Sequence, residues 1–254
     1  MLLQFMRSGE INIPMILAII LVLFFSMGFH EYAHCLMATW WGDPTPREMR
    51  RLTPNPLVHI YWPGFIMFLV VGFGILGQAP VNPRRMRDPR WGSFWTSAAG
   101  PLTNLLFAIV AAIIFRFVSE PLTRAFVLEG SMIAEFAWYV LFFSISSNVL
   151  LFVFNLLPFF PLDGWRMVLA LLPGKFLDRT QVPNAIRKNA HPVSQFLQSP
   201  AFKWQEWAQA SQFVLMALVI ISLLVNNMNL PIPSPLSLLI SQPVSAITQL
   251  LMGR

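Results

Sequence analysis

The sequence predicts an all-α polytopic membrane protein, a helical bundle with a short membrane-associated re-entrant hairpin, and three observations predict it. Of the 254 residues, 56 % are hydrophobic and only 11 % charged, against roughly 25 % charged in soluble domains. Four stretches are long and apolar enough to cross a bilayer, which takes about 20 helical residues. The basic residues gather in the connections, as cytoplasmic loops of membrane proteins do. That placement accounts for the net charge of +6 without nucleic acid, and no segment reads as a nucleotide domain. The length suits one compact bundle. We expect a single transmembrane domain over 1–254, with a core at about 14–175 and accessory helices at about 176–254.

The first predicted span runs from about Pro14 to Trp41, the second from about Phe94 to Val118, the third from about Met132 to Leu157 and the fourth from about Ala208 to Val225. No small-residue cleavage site follows the first apolar run closely, so it reads as a retained span rather than a signal peptide. Gly64 to Gly77 is apolar but short, and it carries Gly64, Gly72, Gly74 and Gly77. Arg47, Arg50 and Arg51 precede it, and Arg84, Arg85, Arg87 and Arg90 follow it. A full crossing would put these two basic loops on opposite sides of the membrane, whereas a hairpin keeps both in the cytoplasm. We expect the hairpin, over residues 57–78, with Leu57-Val58-His59-Ile60-Tyr61 as a strand-like limb. Residues 119–131 lack a basic excess, and 173–207 have one in Lys175, Arg179, Arg187, Lys188 and Lys203. These charges predict an outer N-terminus and inner ends for the first and third spans. The stretch Leu236–Met252, expected to be broken by Pro243, reads as a short final span or an interfacial helix.

Inside the first span lies His30-Glu31-Tyr32-Ala33-His34, an HExxH motif. Helix positions four apart share a face, so His30 and His34 can hold one metal ion, with Glu31 beside them as general base. A chance occurrence in this composition is on the order of one in a thousand. No charged side chain precedes the motif between Pro14 and Phe29, and ionisable groups in such surroundings are costly and mark function. A buried polar cluster packed against another helix is the competing explanation.

Catalytic zinc takes three protein ligands and keeps one open position. Asp163 is the candidate third ligand. It lies in Asn155-Leu156-Leu157-Pro158-Phe159-Phe160-Pro161-Leu162-Asp163-Gly164, where Pro158 and Pro161 break the helix and Gly164 permits a tight turn. The loop charges place Asp163 at the inner depth of the two histidines. Asp163 can instead cap a helix beginning at Trp165. Cys35 reads as a small buried side chain, His59 as a loop histidine bonded to backbone, and His191 as solvated.

These motifs together resemble the site-2 protease family of intramembrane zinc metalloproteases. Ala99-Gly100-Pro101-Leu102-Thr103-Asn104 is similar to its AGPxxN signature. Gly42-Asp43-Pro44-Thr45, Leu52–Ile60 and Pro80-Val81-Asn82-Pro83-Arg84 resemble loop signatures of its compact bacterial members. The resemblance covers roughly residues 20–175. It implies a three-helix catalytic core, Zn2+, and cleavage of transmembrane protein substrates in the lipid bilayer near the cytoplasmic face of a bacterial inner membrane. By motif, His30, His34 and Asp163 become the ligands and Glu31 the catalytic base. Asn104 and Asn155 become polar groups that hold substrate backbone or an oxyanion. Tyr61-Trp62-Pro63 stands where the compact members follow His-Ile with Asp-Pro, and no PDZ-like or CBS-like segment is expected. The alternative function is a non-proteolytic membrane binding protein or metal transporter on the same scaffold. An intact Glu31 argues against it, because binding alone does not need a base, and a transporter would call for further intramembrane ligands.

Overall fold

Asn12 starts the first helix. Its side chain accepts the Met15 N–H at 2.7 Å, and Pro14 sits in the first turn, where its missing N–H costs nothing. This helix, α1 (Ile13–Trp40), is apolar all round, yet only one stripe faces protein. Ala18, Ile19, Val22, Leu23, Ser26, Met27, His30, Glu31 and His34 are buried, while Leu17, Leu21, Phe25 and Leu36 are exposed. A lipid-facing side is as apolar as a packed one, so in this helix the polar residues alone mark the inner face.

The computed structural model describes residues 12–71, 74, 77–171, 204–228 and 232–253. After α1 come a single turn, α2 (Thr45–Glu48), then α3 (Trp62–Val71), α4 (Pro89–Val127), α5 (Met132–Asn155), α6 (Asp163–Leu171), α7 (Trp204–Asn227) and α8 (Pro235–Met252). Among the described residues, five helices are long and apolar enough to cross a membrane: α1, α4, α5, α7 and α8. Helices α1, α4 and α5 pack on one another as a three-helix core, and α6 lies against α4. The basic loop at 173–203 and His191 fall outside the described residues.

α4 extends the expected second span at both ends. Asp88 caps it by accepting from the Arg90 and Trp91 N–H groups at 2.9 and 3.0 Å. Its 39 residues measure about 58 Å at 1.5 Å per residue, nearly twice the hydrocarbon core of the bilayer. Pro101 and Pro121 lie inside it. α8 likewise continues through Pro243, contrary to the break expected there. Proline removes one donor from a helical ladder, and the rest of this ladder holds. Arg116 of α4 donates to the Leu250 and Leu251 carbonyls at 3.2 and 3.3 Å, tying α8 to the core.

The segment between α2 and α4 enters and returns. α3 has ten residues, about 15 Å, half of what a crossing requires. Ile60 and Gly77 then meet in an antiparallel bridge, so the segment begins and ends at the same level. A side chain on Gly74 would collide with the Gly64 carbonyl, so the returning limb lies directly on the first turn of α3. The strand-like limb expected at 57–61 is corrected. Pro56–Val58 is a 3-10 turn, nucleated by Asn55 accepting the Leu57 N–H at 3.1 Å, and in this limb only Ile60 pairs.

The two Arg-rich loops meet at one end of the bundle. Arg85 grips Glu48 with two bonds of 2.5 and 2.8 Å, and this holds the Glu48 carboxyl below its usual range. The fully buried Asp43 accepts from Asn82 N at 2.7 Å and from both donors of Thr45. The Arg87 N–H donates to the Trp41 carbonyl at 2.9 Å.

Candidate metal centre

The C-terminal half of α1 presents His30 and His34 towards α4 and the start of α6. Backbone and amide groups hold the outer nitrogen of each imidazole. His34 Nδ1 lies 2.6 Å from the Thr96 carbonyl. A carbonyl can only accept, so Nδ1 carries the proton and the Nε2 lone pair is left free. His30 Nδ1 lies 2.5 Å from Asn104 Oδ1, with the same consequence. The two Nε2 atoms are 3.1 Å apart, and Asp163 Oδ2 lies 3.1 and 3.3 Å from them. All three residues are buried.

Three lone-pair donors facing one another are unfavourable unless a cation lies between them. The spacing suits zinc, since ligands at 2.0–2.1 Å from a tetrahedral ion lie roughly 3.3 Å apart. Gly100 of α4 keeps the space open. A methyl group there would sit 2.5 Å from His34 Nε2 and 2.6 Å from His30 Nε2, in the position of an ion. Pro101 has no N–H to offer the Ser97 carbonyl, which neighbours the Thr96 carbonyl that receives His34.

Asp163 reaches the site because the chain turns sharply after α5. Any side chain at Gly164 would strike the Leu156 and Leu157 carbonyls, which explains a glycine in the Asp-Gly pair. The Phe160 N–H donates to Ser211 Oγ of α7 at 2.9 Å, anchoring the turn. The helix begins at Asp163 itself, and the carboxylate faces the histidines.

Glu31 is buried but stands apart from the ligand cluster. It is turned to the hairpin, and a methyl group on Gly77 would come within 2.5 Å of Glu31 Cγ and 2.8 Å of Oε1. Asn104 is fully buried and bonded at both ends of its amide. Asn155, at the end of α5, donates through Nδ2 to the Leu151 carbonyl at 2.9 Å and is not one of the clustered ligand residues. His59 is buried away from the ligands, its Nε2 bonded to the Thr53 carbonyl at 2.9 Å, and burial pushes its pKa below the ordinary value. Cys35 is buried and outside the cluster.

A membrane-embedded helical bundle that places two histidines, an aspartate and an adjacent glutamate around one point defines a class of zinc-dependent peptidases. The profile of Peptidase family M50 matches residues 18–197, and this chain belongs to that family, the site-2 proteases. It is similar to a protein of Bacillus subtilis (strain 168) named "Putative zinc metalloprotease YwhC", with 40 % identity over 158 residues, 61 % of this chain and 69 % of that relative. No solved structure matches the chain. Family and relative imply Zn2+ as the cofactor, and the donor set fits it. Thr96 and Asn148 border the site without having stood out in the sequence, and Gly77 stood out only as one of four glycines in a short apolar stretch. For Asn148 the available signal was a polar amide in an apolar span that also carries Asn155.

Proposed function

We propose that this chain is an intramembrane zinc endopeptidase that cleaves transmembrane protein substrates near the cytoplasmic face of a bacterial inner membrane. The observation that carries the reading is the convergence of His30 Nε2, His34 Nε2 and Asp163 Oδ2 next to a buried Glu31. His30, His34 and Asp163 are assigned as the zinc ligands and Glu31 as the base. When bound, zinc supplies Lewis acidity, polarising the scissile carbonyl and lowering the pKa of a coordinated water towards about 7.

The chain's own groups do the rest. Glu31 takes a proton from the attacking water and delivers it to the leaving amine. Gly77 lets the returning limb of the hairpin lie against Glu31, so a substrate backbone running along that limb passes the base. A helical substrate must unwind first, because its carbonyls are engaged in the helix. A substrate strand pairing beside the Ile60–Gly77 bridge would regain the hydrogen bonds lost on unwinding. The second amide proton of Asn155 is assigned to the substrate carbonyl oxygen. The peptidase domain is assigned to the whole chain, with α7 and α8 as accessory helices.

Proteoliposomes holding the purified protein and a single-span membrane protein test this. We expect cleavage to stop when zinc is stripped by a chelator and to return when zinc is restored. Cleavage undiminished in the stripped protein would refute the zinc peptidase.

A further inference from the structure

Asn148 of α5 is assigned no role by the motifs, yet it is almost fully buried, at 1 % exposure, in the membrane interior of the bundle. Its Nδ2 lies 2.9 Å from the Ser144 carbonyl one turn back. Its Oδ1 lies 2.8 Å from Asn104 Nδ2, and Asn104 Oδ1 lies 2.5 Å from His30 Nδ1. Each link sets the direction of the next. The Ser144 carbonyl can only accept, so Asn148 must point its NH2 there and its oxygen at Asn104. Asn104 must then point its NH2 at Asn148 and its oxygen at His30. His30 must therefore carry its proton on Nδ1 and keep Nε2 bare. The direction follows from a backbone carbonyl, and so does not depend on which amide atom is labelled O or N.

A competing force makes this control useful. Asp163 Oδ2 lies 3.1 Å from His30 Nε2 and would draw the imidazole proton to Nε2, the tautomer that cannot bind a metal through the nitrogen facing this site. In a low-dielectric interior a satisfied amide chain is strong and a reversed one leaves like groups facing each other. His34 needs no such chain, since the Thr96 carbonyl fixes it directly.

We propose that Asn148 is a positioning residue that acts through Asn104 to hold His30 in its metal-binding tautomer. This rests on the assignment of His30 as a zinc ligand, but the tautomer is measured without zinc, so the two ideas fail separately. The chain has four histidines, so the 15N-histidine spectrum of the metal-free protein in micelles, at a pH where the imidazoles are neutral, can be assigned one residue at a time. Wild type should show both His30 and His34 protonated at Nδ1. In Asn148→Leu, Asn104 is free to reverse, and His30 should shift towards Nε2–H while His34 stays unchanged. Zinc affinity, read by chelator competition, should fall about 10–100-fold, the usual loss when a partner behind a metal ligand is removed. Asn148→Asp keeps an oxygen facing Asn104 and should preserve the His30 signal and recover affinity. Should Asn148→Leu not fold, the Asp variant decides alone, since loss of the His30 signal there overturns the proposal. An unchanged His30 tautomer in Asn148→Leu, or equal zinc loss in both variants, overturns it as well.

Discussion

Gly100 and Gly77 approach different groups of the site, and adding one methyl group to each separates metal binding from chemistry. Gly100 faces the two Nε2 atoms and Gly77 faces Glu31. Gly100→Ala should reduce zinc to background while the helices persist. Gly77→Ala should keep one zinc per chain but displace Glu31, and a misplacement of about 1 Å costs on the order of 10²-fold in rate. Metal analysis and cleavage assays on the same preparations check both outcomes. At this scale the sequence was most legible where side-chain chemistry is rare. Two histidines, a glutamate and Asp163 stand out against apolar flanks because burying them has to serve a purpose. Thr96 contributes through its carbonyl, which every residue possesses, so no residue type announces it. Asn104 was legible as important, but its buried, doubly bonded amide is visible only once α1, α4 and α5 are packed.

Among the elements, the spans were readable from apolar length alone, and α1 and α5 begin and end within two residues of the expected bounds. The ends of α4 were not readable, because its outer turns are polar and hydropathy reports only the membrane-embedded part. The limb at 57–61 looked like a strand from its β-branched residues, yet Pro56 and the Asn55 cap impose a turn there. The hairpin itself was readable from short length, glycines and flanking arginines, and the Glu48–Arg85 pair shows the two basic loops in contact. Membrane side remains our proposal. In a Cys35→Ala background, single cysteines at positions 49 and 86 should both label from the cytoplasmic side. Labelling from opposite sides would make 64–77 a true span and remove the proposed substrate edge.

For the molecule as a whole, three packed spans bring a motif from α1 and an aspartate 133 positions away to one point, with the hairpin lying against Glu31. Family membership follows from the match over 18–197, and the division of labour between ligands and base is the claim that most needs a direct test. Gln keeps the size and hydrogen bonding of Glu but cannot accept the proton. Zinc content and cleavage of a single-span substrate, measured together on reconstituted Glu31→Gln, provide that test. The variant should keep one zinc per chain while cleavage falls about 10²–10⁴-fold, the usual contribution of general acid–base catalysis. Activity within about tenfold of wild type, or loss of the zinc itself, would contradict that division of labour.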